Sequence, residues 1–151
     1  MNVSVDFTYQ TEFVLVDEQM FVNWLTKCAK QYSATSMALV YAFMDDKALL
    51  ELNLKYLKHN TLTDIITFDD TVGKDVDANI AISVTRVREN AAVHQVPFDE
   101  ELIRVVSHGL LHCLGFKDKT TTQQSEMRKA EQACIQPVSY THLRAHETSL
   151  H

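Results

Sequence analysis

The stretch SHGLLHCLGFKDK, residues 107–119, spaces side chains that can bind a metal ion. His108 and His112 are four residues apart, so on a helix both imidazoles project from one face. Gly115 follows where helices commonly end in a left-handed residue, and the reversing chain can bring Asp118 back toward the histidines. Three protein ligands leave one zinc position open for water, as in catalytic zinc sites. The pattern therefore predicts a metal centre formed by His108, His112 and Asp118.

The residue after the first histidine limits the chemistry of this centre. Zinc peptidases place a glutamate there as general base, but this chain has Gly109. A metal ion alone still lowers the pKa of its bound water from about 15.7 toward 7 and stabilises charge on a phosphoryl oxygen. Phosphodiester hydrolysis is therefore favoured over peptide hydrolysis. A peptidase whose base comes from elsewhere in the chain is the alternative.

Composition restricts the class of protein. The chain has 151 residues, enough for one domain with a substantial core, and its net charge is -6. This acidity argues against a protein that wraps long nucleic acid, but it permits an enzyme that meets a few phosphates at one site. The sequence has no apolar run of the roughly 18 residues that a membrane span needs and no signal-peptide pattern at its start. Three widely spaced cysteines imply no disulfide framework, so we expect a cytoplasmic protein.

The hydrophobic pattern predicts an α+β domain, in which a small mixed β-sheet is covered by helices. Apolar residues at helical spacing predict helices over 16–32, 45–57, 83–95 and 98–115, and short apolar runs predict strands over 36–44, 64–68 and 79–83. Thr121 and Gln124 form a capping-box pattern that opens a last helix.

We expect a single domain over residues 1–137, followed by a non-native tail over 138–151. The segment VSYTHLRAHET, residues 138–148, resembles one reading frame of a widely used sequencing adapter, and the helical pattern stops at Pro137. The histidines of this segment are therefore not taken as a metal-binding tract.

Four motifs occur in the order found in the YbeY family: TDIITFD, IAISVTRVRENA, HGLLHCLGFKDKT and MRKAEQ. Over residues 35–135 the chain resembles this family of bacterial, single-strand-specific, metal-dependent endoribonucleases. The resemblance implies a role in maturation of the 3′ end of 16S ribosomal RNA and in ribosome quality control. The implied partners are single-stranded RNA, the 16S rRNA precursor and the small ribosomal subunit. It also implies one zinc ion on His108, His112 and Asp118; much of the family has a histidine at the third position.

The chain departs from the family pattern at two places. Many members carry an arginine, proposed to meet RNA phosphate, where this chain has Leu57, so Lys58 or Lys55 is the candidate replacement. The family's Gly-Asp before the strand is Ala78-Asn79 here. Neither change affects the predicted metal ligands.

Several other residues allow two interpretations. Arg86, Arg88 and Arg104 either line an RNA groove, with Arg86 the substrate-binding candidate, or are solvated and charge-balancing. Asp64 either takes part in catalysis beside the site or satisfies a turn, and Glu126 is either a general base or an exposed helix residue. His59 and His94 are expected at the surface, and Phe21, Trp24, Phe68 and Cys113 in the core.

If the metal were only structural, the chain would be a non-catalytic ribosome-assembly factor.

Overall fold

A computed structural model describes residues 1–135 and the backbone of residues 145–146. The strands are β1 (Asn2–Tyr9), β2 (Val14–Leu15), β3 (Ser36–Met44), β4 (Ile65–Asp69), β5 (Asp75–Ser83) and β6 (Ala145–His146). The α-helices are α1 (Glu18–Gln31), α2 (Asp46–Leu52), α3 (Val84–His94), α4 (Phe98–Cys113) and α5 (Thr121–Ile135), and a π-helical turn (Asn53–Leu57) continues α2.

The main sheet has four strands in the order β1-β3-β5-β4. β1, β3 and β5 are parallel, and β4 pairs antiparallel with β5 at one edge. The predicted mixed sheet with helices packed on it is confirmed. β1 was not among the predicted strands, although its segment NVSVDFTY alternates polar and apolar residues, and β5 begins four residues before the predicted start at 79.

The two faces of this sheet differ. On the inner face, alternate residues of β3 (Met37, Leu39, Tyr41 and Phe43) join buried residues of α1, α3, α4 and α5 in one core. The outer face carries a smaller cluster, where Leu49 of α2 packs against Met44, Ile66 and Ala81. Helical cover is therefore thick on one face and sparse on the other.

The predicted core aromatics divide between these faces. Phe21 and Trp24 are buried in the main core, as predicted, and the Trp24 indole Nε1 donates to the Cys134 carbonyl at 2.8 Å. Cys113 is also buried. The core prediction is wrong for Phe68, which is half-buried on the outer face, because strand alternation does not reveal which face a helix will cover.

Most of the predicted tail lies outside the described residues. Within it, the backbone of Ala145–His146 pairs antiparallel with Val14–Leu15. The division into a 1–137 domain and a 138–151 tail stays a prediction. Across the described residues, every helix is too short or too polar to cross a membrane.

Candidate metal centre

Helix α4 carries both histidines, and most of its other residues are buried, which fixes the position of the helix. Acidic side chains in its first turn, Asp99 among them, complement the positive end of the helix dipole. His108 and His112 open into a pocket of about 320 Å³. Its lining brings together all three predicted ligands and the candidate Asp64; it consists of Thr63, Asp64, Ile65, Thr67, Arg104, Val105, His108, His112 and Asp118.

The chain reverses at Gly115, as the spacing predicts. Gly115 has φ +105°, a conformation that costs glycine little and other residues more. Its N–H donates to the His112 carbonyl, and the Phe116 N–H donates to the Leu111 carbonyl, both at 3.1 Å. The Phe116 ring then packs edge-on against Tyr32, with centroids 5.2 Å apart. This turn returns the following residues to the histidine face.

Helix α5 holds the returning loop in place. Its capping box is formed by Thr120 and Gln123, one residue earlier than predicted: the Gln123 N–H donates to Thr120 Oγ1 at 3.1 Å, and the Thr120 N–H donates to Gln123 Oε1 at 3.2 Å. Gln124 instead donates from Nε2 to the Asp118 carbonyl at 3.1 Å. The backbone of the predicted third ligand is therefore tied to α5.

Glu131 of α5, which was not singled out from the sequence, orients the first histidine. Its Oε2 lies 2.7 Å from His108 Nδ1, and the residue is only 3% exposed. Burial lowers the pKa of His108, but the hydrogen bond to Glu131 and its charge outweigh burial and raise it. A carboxylate on Nδ1 places the proton there and leaves the Nε2 lone pair of neutral imidazole for a metal. The sequence spacing could have indicated this position, because Glu131 follows Met127 by one helical turn and so lies on the same buried face of α5.

His108 and Asp118 are spaced as two ligands of one ion. His108 Nε2 lies 3.3 Å from Asp118 Oδ2. Two donors bound tetrahedrally at about 2.0–2.1 Å are separated by about 3.3–3.4 Å. This separation, together with the carboxylate behind His108, fits a zinc ion.

His112 completes the pocket but not a preformed centre. Its side chain is exposed at the pocket lining, and within residues 1–135 no three His, Cys, Asp or Glu side chains converge closely enough to form a metal cluster. All three predicted ligands line one pocket and two of them are in contact, but the binding of one ion by all three stays a prediction. Exposed side chains change rotamer within nanoseconds, so His112 can approach an ion held by the other two.

Arg104 is a cation in the pocket that acidic residues hold in place. Its Nε donates to Glu101 Oε1 at 3.2 Å, and Nη1 lies 3.5 Å from Glu131 Oε1. Glu101 is 2% exposed and also contacts His94 Nδ1, at 3.3 Å. Arg104 therefore balances acidic residues, as its second interpretation required, and it also lines the pocket; that it lines an RNA groove stays a prediction.

The two predicted substrate-binding cations lie outside the pocket lining. Arg86 Nη2 pairs with Asp46 Oδ2 at 2.7 Å. Lys58 ends the π-helical turn with φ 57°. Their roles in substrate binding stay predictions, and Glu126 is exposed, as its second interpretation required.

Asp64 lines the pocket as a half-buried carboxyl group. Burial raises its pKa, and the positive charges of Arg104 and His108 oppose that rise. Its backbone carbonyl accepts from the Ser83 N–H at 2.9 Å, which anchors the turn to the end of β5. A carboxyl group with a raised pKa beside a metal site is a candidate for proton transfer.

The position after His108, occupied by Gly109, has no room for a glutamate side chain. A Cβ atom built on Gly109 would lie 3.0 Å from Ile80 Cδ1 and 3.1 Å from Ile65 Cδ1. The position therefore faces the inner side of the sheet at close approach, not the pocket. A longer side chain there would collide with β4 and β5.

Comparison with known proteins identifies the family. The family model described as Endoribonuclease YbeY matches residues 6–139. The chain belongs to the endoribonuclease YbeY family. The predicted membership is thereby confirmed, and with it the assignment to hydrolytic nucleases that process RNA.

Curated relatives and a solved structure agree with this assignment. The Endoribonuclease YbeY of Flavobacterium johnsoniae is 44% identical over 127 residues, covering 84% of this chain and 91% of the relative. That of Christiangramia forsetii is 44% identical over 131 residues, covering 87% and 92%. The solution structure of a Thermotoga maritima protein has a TM-score of 0.61 at 21% identity, covering 89% of this chain and 90% of that one. This last similarity supports the fold alone.

Proposed function

We propose that this member of the YbeY family is a zinc-dependent hydrolase of single-stranded RNA. The observation that carries the proposal is the separation of 3.3 Å between His108 Nε2 and Asp118 Oδ2, with Glu131 behind the imidazole. His108, His112 and Asp118 would hold the zinc ion. When bound, it supplies a Lewis acid that lowers the pKa of water and stabilises charge on a phosphoryl oxygen.

The surrounding side chains supply the remaining chemistry. Arg104, held by Glu101 and Glu131, lines the pocket, and we infer that its positive charge attracts a non-bridging phosphate oxygen there. Asp64 accepts a proton from the water molecule whose oxygen attacks phosphorus. The P–O bond to the leaving strand breaks, and the leaving oxygen takes up a proton from solvent. Its raised pKa brings it closer to the working pH and makes it a better base than an ordinary aspartate.

The proposed biological substrate is the precursor of 16S ribosomal RNA, met on the small ribosomal subunit in the cytoplasm. The family supports this assignment, as does the small number of cations at the site. A net charge of -6 makes extended electrostatic binding of RNA unfavourable, so a ribosomal partner that presents the RNA would compensate.

The test compares RNA and protein substrates with and without a chelator. We expect purified protein to cleave labelled single-stranded RNA, to spare duplex RNA and casein, and to lose cleavage when metal is removed. Asp118→Ala should bind zinc more weakly and lose cleavage while remaining folded, whereas Glu126→Gln should behave as wild type. Chelator-sensitive loss of casein with intact RNA would establish the peptidase alternative instead.

Two observations weigh against the alternatives. The close approach of Gly109 to Ile80 and Ile65 leaves no room for a peptidase base at that position. A purely structural metal would not need Arg104 and Asp64 in the same pocket. If wild type shows no turnover with any divalent metal, while His112→Ala lowers both thermal stability and ribosome binding, the chain is an assembly factor.

A further inference from the structure

The outer face of the sheet contains a second cavity, of about 420 Å³, on the side away from α4. Its floor is formed by Val40, Ala42 and Ala81, which are neighbours across β3 and β5. Because these side chains are small, the floor leaves space above the sheet. Ligand sites are typically mostly apolar clefts of about 300–1,000 Å³, and this cavity falls within that range.

Aromatic side chains form one wall of this cavity. Tyr56, in the π-helical turn, is 56% exposed, and its ring stands edge-on to Phe68 of β4 with centroids 5.7 Å apart. Lys55 Nζ lies 5.2 Å from the centre of the Tyr56 ring. π-Helical turns often occur at functional sites. An exposed aromatic ring with a cation beside it is suited to stacking a nucleobase.

Polar groups in the cavity match those at the edge of a base. Asn79 is exposed in the middle of β5, opposite Phe68 on β4, and Gln10 also lines the cavity. Amide side chains both donate and accept hydrogen bonds, as the edges of nucleobases do. The Asn79 amide is uncharged, so it does not repel a phosphate chain.

The outer cavity and the metal pocket lie on the two faces of one edge strand, β4. β4 is the last strand of the sheet on this side, and its residues alternate between the two cavities. Thr67 lines the metal pocket, whereas the next residue, Phe68, lines the outer cavity. A strand of RNA with its phosphate beside His108 therefore reaches the outer cavity by crossing the edge of β4.

We propose that the outer cavity binds an unpaired nucleobase of the RNA substrate, stacked on Tyr56, a few nucleotides from the phosphate that is cleaved. The proposal rests on the function proposed above, and it gives selectivity for single strands a physical cause. Bases within a duplex are stacked and paired, so they cannot enter a cavity on the far side of β4.

The test combines two variants of Tyr56 with RNA oligonucleotides that each lack one base. Tyr56→Leu should raise KM about tenfold with little change in kcat, because a stacking contact is lost. Tyr56→Phe keeps the aromatic face and should stay within about threefold of wild type. Val93→Ser, which removes a similarly exposed apolar side chain from α3, is the matched control.

One abasic position should raise the KM of wild type to a similar extent and have no further effect in Tyr56→Leu. Unchanged KM in Tyr56→Leu overturns the proposal, as does an abasic effect that persists in full in that variant. If Tyr56→Leu dissociates a dimer in sedimentation without changing KM, the cavity is a contact between two copies of the chain and the proposal fails. If wild type does not cleave RNA, the proposed function fails, and fluorescence anisotropy of labelled RNA with the same variants still decides the base site.

Discussion

Replacing Glu131 with glutamine isolates the contribution of the carboxylate behind His108. Glu131→Gln keeps the shape of the side chain and removes its charge, so the hydrogen bond at 2.7 Å from His108 Nδ1 becomes a neutral one. A charge-assisted hydrogen bond contributes about 1.5–3 kcal/mol and a neutral one about 0.5–1.5 kcal/mol. The difference, about 1–1.5 kcal/mol, corresponds to roughly a tenfold loss of zinc affinity, at the lower end of the 10–100-fold range for such partners.

The same substitution weakens the contact with Arg104. Glu131 Oε1 lies 3.5 Å from Arg104 Nη1, but Arg104 keeps its bonds to Glu101, so this half-buried cation still has an acidic partner. We expect a loss of about 1–2 kcal/mol in unfolding free energy, or roughly 3–8 °C in Tm. Binding is measured by competition with a chromophoric chelator and Tm by circular dichroism. The control is Glu126→Gln, an equal charge change on the exposed face of the same helix.

The reasoning is refuted if Glu131→Gln binds zinc and cleaves RNA as wild type does while Asp118→Ala loses both. His108 would then be oriented by its helix alone.

Three further predictions concern the turn and the helix of the metal centre. Gly115→Ala places a Cβ at φ +105° and should lower the free energy of unfolding in urea by about 1–2 kcal/mol. Zinc binding should also weaken, because Asp118 shifts. Unchanged stability and zinc affinity would contradict the turn geometry. Gly109→Glu should lower Tm strongly and create no peptidase activity, since its Cβ would lie 3.0 Å from Ile80 Cδ1; a stable variant that digests casein would disprove this packing argument. Burial and the charge of Asp69 raise the pKa of Cys113 to about 12. At pH 8 the Cys113 thiol should therefore react with iodoacetamide only after unfolding. Rapid labelling of Cys113 in the folded protein, located by mass spectrometry, would contradict this prediction.

The local geometry of the metal centre could be predicted because it follows from short-range rules. Helical spacing places His108 and His112 on one face, and the positive φ of Gly115 returns Asp118 toward them. These features depend on residues within one helix and the turn that follows. The same rules give no rotamer, which is why the actual position of His112 could not be foreseen.

Long-range features of the site could not be read from the sequence in the same way. Glu131 reaches His108 across 23 residues, and that contact exists only because α5 packs beside α4. Arg104 was ambiguous for a similar reason, since its role depends on two buried acids from different helices. Its position relative to the pocket is a property of tertiary packing.

The outer cavity was not predicted from the sequence, because the alternation of apolar and polar residues along a strand treats the two faces of the sheet alike. It assigns Phe68 and Thr67 to opposite faces of β4 but does not say which face the helices cover. The sparse cover of the outer face follows from the position of α2 and the π-helical turn. Phe68 was therefore placed in the core, although it is only half-buried on the outer face.

Zinc content and RNA cleavage, measured together in wild type, His108→Ala, His112→Ala and Asp118→Ala, decide whether this pocket holds the metal that cleaves RNA. After chelation and dialysis against zinc, wild type should hold about one ion per chain and cleave single-stranded RNA. Each variant should remain folded, bind zinc more weakly and lose cleavage in proportion. Retention of a full equivalent of zinc and of undiminished cleavage in Asp118→Ala would contradict the assignment of the metal to this pocket.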